Sequence, residues 1–308
     1  MKPITKKINT GVIGVGYLGR FHAQKYAQLP NSNLTGVVDF DYTRAQTVAA
    51  ECQTKAYSSY QELVDDVDAV SIVTPTPRHY EIAQFFLSQG KHVLIEKPIT
   101  VEIQHARELI ELANKNNVLL QVGHLERFNN ALKIAQPLIN NPWFIEATRL
   151  APFKTRGSDV SVILDLMIHD LDLIFSLVPS PLKKITAHGA SLITDFIDVA
   201  KVHLEFNNGC CANLTASRAC HKTERRLEIF QKDLILNLDL DQKTLQIQTQ
   251  NGHEQKTTEK GDALLDEIDA FLNSISEKKA AVVDGEAGLL ALEVAVKIEQ
   301  LILAKNND

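Results

Sequence analysis

Between Ile8 and Gln121 the chain repeats one pattern, a short run rich in valine and isoleucine followed by a longer segment with apolar residues at helical spacing. The short runs are Gly11–Val15, Leu34–Asp39, Ala69–Thr74, His92–Glu96 and Val118–Val122. The helical segments are Leu18–Gln28, Thr43–Glu51, His79–Ser88 and Val101–Asn114. Runs with so little polar alternation suit strands buried on both faces, and helices crossing over a parallel sheet supply that burial. The pattern predicts an α/β fold with a doubly wound parallel sheet over residues 1–122.

After Gly123 the rhythm changes. One apolar helix, Asp159–Val178, precedes six expected strands: Lys183–Ile193, Val199–Phe206, Cys210–Arg218, Arg225–Phe230, Leu234–Leu240 and Thr244–Gln250. Turn signals such as Asn207-Asn208-Gly209 and Asn251-Gly252 separate them. Strands joined so closely must be largely antiparallel, which predicts an α+β domain with an open sheet over residues 123–284. Two helices follow, about Asp262–Ser276 and Gly285–Ala304. The last stretch, 285–308, is expected as a C-terminal helix able to pack back on the first domain.

A length of 308 residues accommodates these two domains. With 32 Lys+Arg against 38 Asp+Glu the net charge is −6, which argues against a broad basic footprint for nucleic acid or a membrane surface. Four cysteines form no disulfide framework, so a reducing cytoplasm is expected. The N-terminus has no apolar core of a secretory signal, and Asp165, His169, Asp170 and Asp172 interrupt the most apolar segment, so it cannot span a bilayer. Cys210, Cys211, Cys220 and His221 lie near one another in sequence, but alternation along Cys210–Arg218 reads as a packed strand; no metal site is expected.

The first strand-to-helix turn reads Gly11-Val-Ile-Gly14-Val-Gly16-Tyr17-Leu18-Gly19, a G-x-G-x-x-G motif between an apolar strand and a helix. Gly14 allows the tight turn, Gly16 lets a pyrophosphate approach the backbone, and Gly19 lets helix and strand pack closely. The second strand ends at Asp39, 20 residues past Gly19, where a carboxylate can accept from the adenosine ribose hydroxyls and repel a 2′-phosphate. A Rossmann domain binding NAD in preference to NADP is expected. Arg44 lies close enough to bear on that choice.

Two rigid proline turns follow later strands at the end of the sheet where ligands bind: Thr74-Pro75-Thr76-Pro77-Arg78-His79 and Glu96-Lys97-Pro98. Thr74, Pro75, His79, Glu96 and Lys97 join Gly14, Gly16, Tyr17, Leu18, Gly19 and Asp39 as expected cofactor contacts. In the apolar helix, Asp165, His169 and Asp172 fall at i, i+4 and i+7 and so share one face. Two acids and an imidazole there need partners or a wet cavity. Asp165 and His169 are expected in an active site with Lys97, whereas Asp172 reads as structural.

These motifs resemble the Gfo/Idh/MocA oxidoreductases, whose signature joins a dinucleotide fingerprint to Thr-Pro-x-x-x-His and Glu-Lys-Pro turns. The likeness extends through Gly123-His124-Leu125-Glu126-Arg127-Phe128, through Asp165-Leu-Met167-Ile-His169, where Met167 stands in place of a common glycine, and through Asp284-Gly285-Glu286-Ala287-Gly288. It implies oxidation of a sugar secondary hydroxyl with hydride passing to NAD. His169, polarised by Asp165, would act as base, and Lys97, its pKa lowered, would bind the reacting oxygen and share the proton transfer. The stretch from Arg149 to Leu173 looks most like members that oxidise the 3-hydroxyl of UDP-N-acetylglucosamine or a related UDP-sugar. Arg149, Lys154 and Arg156 are then candidates for the diphosphate, with His124 and Arg127 as further substrate contacts. A free polyol or monosaccharide is the alternative substrate, and a non-enzymatic NAD-binding regulator the alternative class. Family members use the open sheet of the second domain for association, which implies a homodimer or homotetramer.

Overall fold

The computed structural model describes residues 7–155, 157, 159–257 and 261–306, arranged as two compact units. One comprises the chain up to Leu125 with Leu264–Leu289; the other comprises Glu126–Ala263 and the chain from Leu290 onward.

The first unit runs β1 (Ile8–Ile13), α1 (Tyr17–Gln28), β2 (Ser32–Val38), α2 (Tyr42–Cys52), β3 (Lys55–Tyr57), α3 (Tyr60–Leu63), β4 (Ala69–Ile72), α4 (His79–Ser88), β5 (His92–Glu96), α5 (Ile103–Lys115) and β6 (Leu120–Gly123). Its six-stranded sheet has the order β3-β2-β1-β4-β5-β6, and every pair in it is parallel. The order reverses between β1 and β4, and ligands bind in such sheets at the carboxyl ends of strands beside that reversal. β3 was not expected: three residues at the sheet edge carry no run of apolar side chains.

The second unit runs α6 (Asn130–Ala135), β7 (Phe144–Leu150), a π-helical turn Ile163–Met167 leading into α7 (Ile168–Leu177), and then β8 (Leu182–Ala190), β9 (Val199–Phe206), β10 (Cys211–Ser217), β11 (Glu224–Gln231), β12 (Leu234–Asp239), β13 (Thr244–Thr249) and β14 (Gly252–Thr257). The eight strands lie in the order β14-β13-β12-β11-β7-β10-β9-β8. All pairs are antiparallel except β7 with β10. β7 was not among the expected strands, yet it alternates buried Ile145, Ala147 and Arg149 with half-buried Glu146, Thr148 and Leu150. A buried arginine at a core position hid the alternation. One face of the sheet packs on α7, with Ile145, Ala147, Ile168, Leu171 and Ile174 in a single core.

Of the last two helices, α8 (Ala263–Glu277) and α9 (Gly285–Asn306), the first departs from its expected place. α8 was assigned to the second domain by its position in the chain. Its stripe of Leu264, Ile268, Phe271 and Leu272 instead completes the core of the first unit with Val12, Tyr26 and Leu94. α9 is divided between the units at Leu289, and its Ala291, Ala295, Ile298 and Ile302 belong to the core of the second. No helix among the described residues is long and apolar enough to cross a membrane.

Candidate active site

At the carboxyl ends of β1, β2 and β4 three turns interlock. Gly14 has φ +84°, and a Cβ there would meet the Val73 carbonyl at 2.8 Å. A Cβ on Gly19 would come within 1.8 Å of the Gly14 carbonyl oxygen, so only hydrogen fits. Gly14 N–H donates to Val38 O at 2.8 Å, which closes the turn onto β2. Gly16, the residue capping α1, is different: nothing lies within 4 Å of the space its Cβ would fill. The first turn of α1 carries no acidic residue, so its amide dipoles face that open space uncompensated, as a phosphate requires. Tyr17 is exposed there, while Leu18 packs partly against the core.

Asp39, just past β2, is buried. Its Oδ2 accepts from Val15 N–H at 2.8 Å, and its Oδ1 accepts from Asp41 N–H at 2.9 Å and Arg44 Nη1 at 3.1 Å. A carboxylate offers about four acceptor positions, so one remains for a ribose hydroxyl. The open cradle at Gly16, the acid-free helix terminus and this acceptor together fit a dinucleotide. Thr74, beside Gly14, holds a buried hydroxyl with no hydrogen-bond partner among the described residues.

Two expected cofactor contacts turn inward instead. His79 is 1% exposed, with Nδ1 3.0 Å from Pro98 O and Nε2 2.9 Å from Thr74 O. Both ring nitrogens face backbone carbonyls, so the ring braces the two proline turns and offers the cofactor no free edge. The carboxylate of Glu96 receives His22 Nε2 at 3.2 Å and Lys97 N–H at 3.3 Å. It packs so closely on β6 that a Cβ on Gly123 would lie 2.9 Å from Oε1. Burial alone would raise the Glu96 pKa, but the His22 ring and the Lys97 charge and amide hold it below the usual carboxylate range. Behind it, His22 Nδ1 lies 3.2 Å from Ser71 Oγ, which is 2.8 Å from the Tyr26 hydroxyl. Nothing in the sequence analysis singled out His22, Ser71 or Tyr26; the available signal was a histidine on the apolar face of α1, three residues past Gly19. Lys97 itself is half-buried and precedes Pro98 through a cis peptide.

In the second unit the helix with Asp165 and His169 is not regular. The π turn Ile163–Met167 widens it just before α7 and changes the phase at which later residues point. Asp165 and His169 are half-buried, whereas Asp172 is 1% exposed and takes a bidentate contact from Arg127, Nε at 2.6 Å and Nη2 at 2.8 Å. Arg127 is thereby committed to this ion pair. The segment before the helix touches it directly: a Cβ on Gly157 would meet Asp165 Oδ2 at 2.8 Å. Arg218 holds that segment, donating from Nη1 to Gly157 O at 2.7 Å and from Nε to Asp198 Oδ1 at 2.7 Å.

The expected basic diphosphate clamp separates into unlike parts. Arg149 is buried on β7 and donates to both oxygens of Asp170, and to Glu126 Oε1 at 2.9 Å. Burial pulls the guanidinium pKa down, but Asp170 and Glu126 together hold it above its ordinary value. Arg149 is therefore a structural counter-ion, because a buried charge keeps the partners that neutralise it. Lys154 is exposed, His124 is buried just beyond β6, and Arg156 lies outside the described residues. Among the described residues no group of three or more His, Cys, Asp or Glu is placed to hold a metal ion.

Residues 8–124 match the oxidoreductase family with an NAD-binding Rossmann fold, and residues 140–233 match the Gfo/Idh/MocA C-terminal domain. UDP-N-acetylglucosamine 3-dehydrogenase of Acidithiobacillus ferrooxidans is 41% identical over 96% of this chain and 98% of its own. The chain belongs to the Gfo/Idh/MocA family. It is an NAD-binding oxidoreductase. A crystal form of the Acidithiobacillus enzyme superposes with a TM-score of 0.93 at 42% identity, covering 97% of this chain and 98% of that one. Myo-inositol 2-dehydrogenase of Thermotoga maritima is more distant, 26% identical over 92% of each chain. Scyllo-inositol dehydrogenase of Lactobacillus casei, solved with NAD(H) and scyllo-inositol, shares the fold at 23% identity, with a TM-score of 0.83 over 98% of both chains.

Proposed function

We propose that this oxidoreductase removes hydride from C3 of UDP-N-acetylglucosamine, or of a closely related UDP-sugar, with NAD as acceptor. The observation that carries the reading is the 41% identity to a UDP-N-acetylglucosamine 3-dehydrogenase along 96% of the chain. When bound, NAD supplies a hydride acceptor at C4 of the nicotinamide. The residues that would hold it are the Gly14–Gly19 turn for the pyrophosphate and Asp39 for the adenosine ribose.

His169 takes the hydroxyl proton, with Asp165 one turn earlier to orient the ring. Lys97, half-buried beside Glu96, hydrogen-bonds the reacting oxygen. Among the clamp candidates Arg149 is bound to acids, which leaves exposed Lys154 together with Arg156 to meet the diphosphate. The 3-keto product suits an aminotransferase, which would place the reaction in the making of a 3-amino sugar for lipid A or surface polysaccharide. A cytoplasmic homodimer or homotetramer associating through the eight-stranded sheet, without nucleic-acid or membrane partners, agrees with the net charge of −6.

The test is a panel of UDP-sugars, inositol and glucose, each mixed with protein and NAD and read by absorbance of the reduced cofactor. A carbonyl-trapping reagent pulls the equilibrium forward. UDP-N-acetylglucosamine should give the highest kcat/KM. Faster turnover of inositol or glucose would replace this substrate, and tight NAD binding with a silent panel would favour a regulator.

A further inference from the structure

The Thr74-Pro75 turn and the Lys97-Pro98 turn leave neighbouring parallel strands, β4 and β5, and one buried ring joins them. On one side, His79 faces the carbonyl of Thr74, whose methyl would lie 2.9 Å from a Cβ on Gly14; that contact makes Thr74 part of the wall of the glycine turn. On the other side it faces the carbonyl of Pro98, next in sequence to Lys97. The Lys97 amide is in turn gripped by Glu96.

A neutral imidazole has one N–H, so it donates to one of these carbonyls and turns a lone pair toward the other. Whichever turn takes the N–H, the ring is wedged between both, and a rigid ring passes on a displacement that a flexible side chain would absorb. Burial lowers the His79 pKa, against the pull of the Thr74, Pro98 and Ile99 backbone and of Glu96, and so favours this one-proton state.

We propose that His79 is a positioning residue, one that couples occupation of the glycine turn by the dinucleotide to the placement of Lys97. The inference rests on the NAD-dependent reading above, and goes beyond it by assigning work to a side chain whose ring nitrogens both face backbone carbonyls.

The full-length protein and its His79→Ala and His79→Gln variants provide the test. NAD affinity is measured by calorimetry, kcat and KM with UDP-N-acetylglucosamine, and Lys97 reactivity by mass spectrometry after brief amine acylation with and without NAD. In the wild type NAD should change the Lys97 acylation rate. In His79→Ala, NAD should still bind within about threefold, its effect on Lys97 should vanish, and kcat should fall about tenfold or more with KM little changed. His79→Gln, which keeps a buried donor, should recover part of the loss; if the alanine variant does not fold, the glutamine variant is judged by the same uncoupling of Lys97 from NAD. An unchanged NAD effect on Lys97 in a folded variant, or an NAD affinity that falls in step with kcat, would overturn the proposal. Failure of the wild type to bind NAD would instead overturn the cofactor reading.

Discussion

Acidic side chains are held differently in the two units. In the first, Asp39 is met by the amides of Val15 and Asp41 with half-exposed Arg44 beside them, and Glu96 by the amide of Lys97 and the ring of His22. In the second, Asp170 is met by Arg149, Asp172 by Arg127, and Asp198 by Arg218 together with the amides of Leu192, Ile193 and Thr194. An amide placed by a turn holds an acid without burying a cation against it. An arginine buried against an aspartate is consumed by it. Arg149, Arg127 and Arg218 are therefore held by acids, whereas the acids of the first unit lean mainly on backbone amides and a histidine ring.

The contrast is broken most severely at Arg149. Arg149→Met strands Asp170 and Glu126 in the core, and urea denaturation should show a loss of about 3–5 kcal/mol. A near-neutral result would mean that the acids find water or a proton at little cost. Gly19→Ala attacks the first unit, where a Cβ would sit 1.8 Å from Gly14 O. NAD binding by calorimetry should weaken about 100-fold or more, because the turn that presents amides to phosphate must open. Retained binding would refute the assignment of that turn.

Asp198 gives a case of intermediate size. Burial would raise its pKa, but the amides of Thr194, Ile193 and Leu192 and the Arg218 guanidinium hold it below the usual aspartate value. The sign follows: stability from this group is complete above the unfolded pKa of about 3.9 and is lost as pH falls toward the lower folded value. Asp198→Asn should cost about 1–3 kcal/mol at neutral pH and flatten acid unfolding below about pH 4. An acid transition as steep as the wild type's would contradict it. The smallest effect belongs to Arg44, half exposed beside Asp39. Arg44→Ala should shift the melting temperature little, within about 1 kcal/mol, because its pair is screened by solvent.

The first unit was largely legible because its signals are backbone signals. Glycines, prolines and strand-end acids sit where turn geometry demands them, so Gly14, Gly19, Asp39 and Lys97 could be placed from spacing alone. What spacing could not show was direction. His79 and Glu96 lie in the right turns but point into the protein, toward carbonyls and His22 that come from other elements.

In the second unit the expected strands from Lys183 to Gln250 emerged, while β7 went unexpected because Arg149 occupies a core position that only a paired arginine can hold. The π turn before α7 was equally hidden, since its extra residue per turn leaves no mark in composition. α8 shows that an apolar stripe predicts burial without naming the surface it is buried on.

The central claim, that hydride leaves C3 of a UDP-linked N-acetylglucosamine, is tested most directly with substrate carrying deuterium at that carbon. Incubated with protein, NAD and a carbonyl trap, the label should appear on the nicotinamide of the reduced cofactor with a one-to-one gain in trapped keto-sugar, and Lys97→Ala and His169→Ala should abolish transfer while still binding NAD. Reduced cofactor free of deuterium, or transfer undiminished in both variants, would contradict the account.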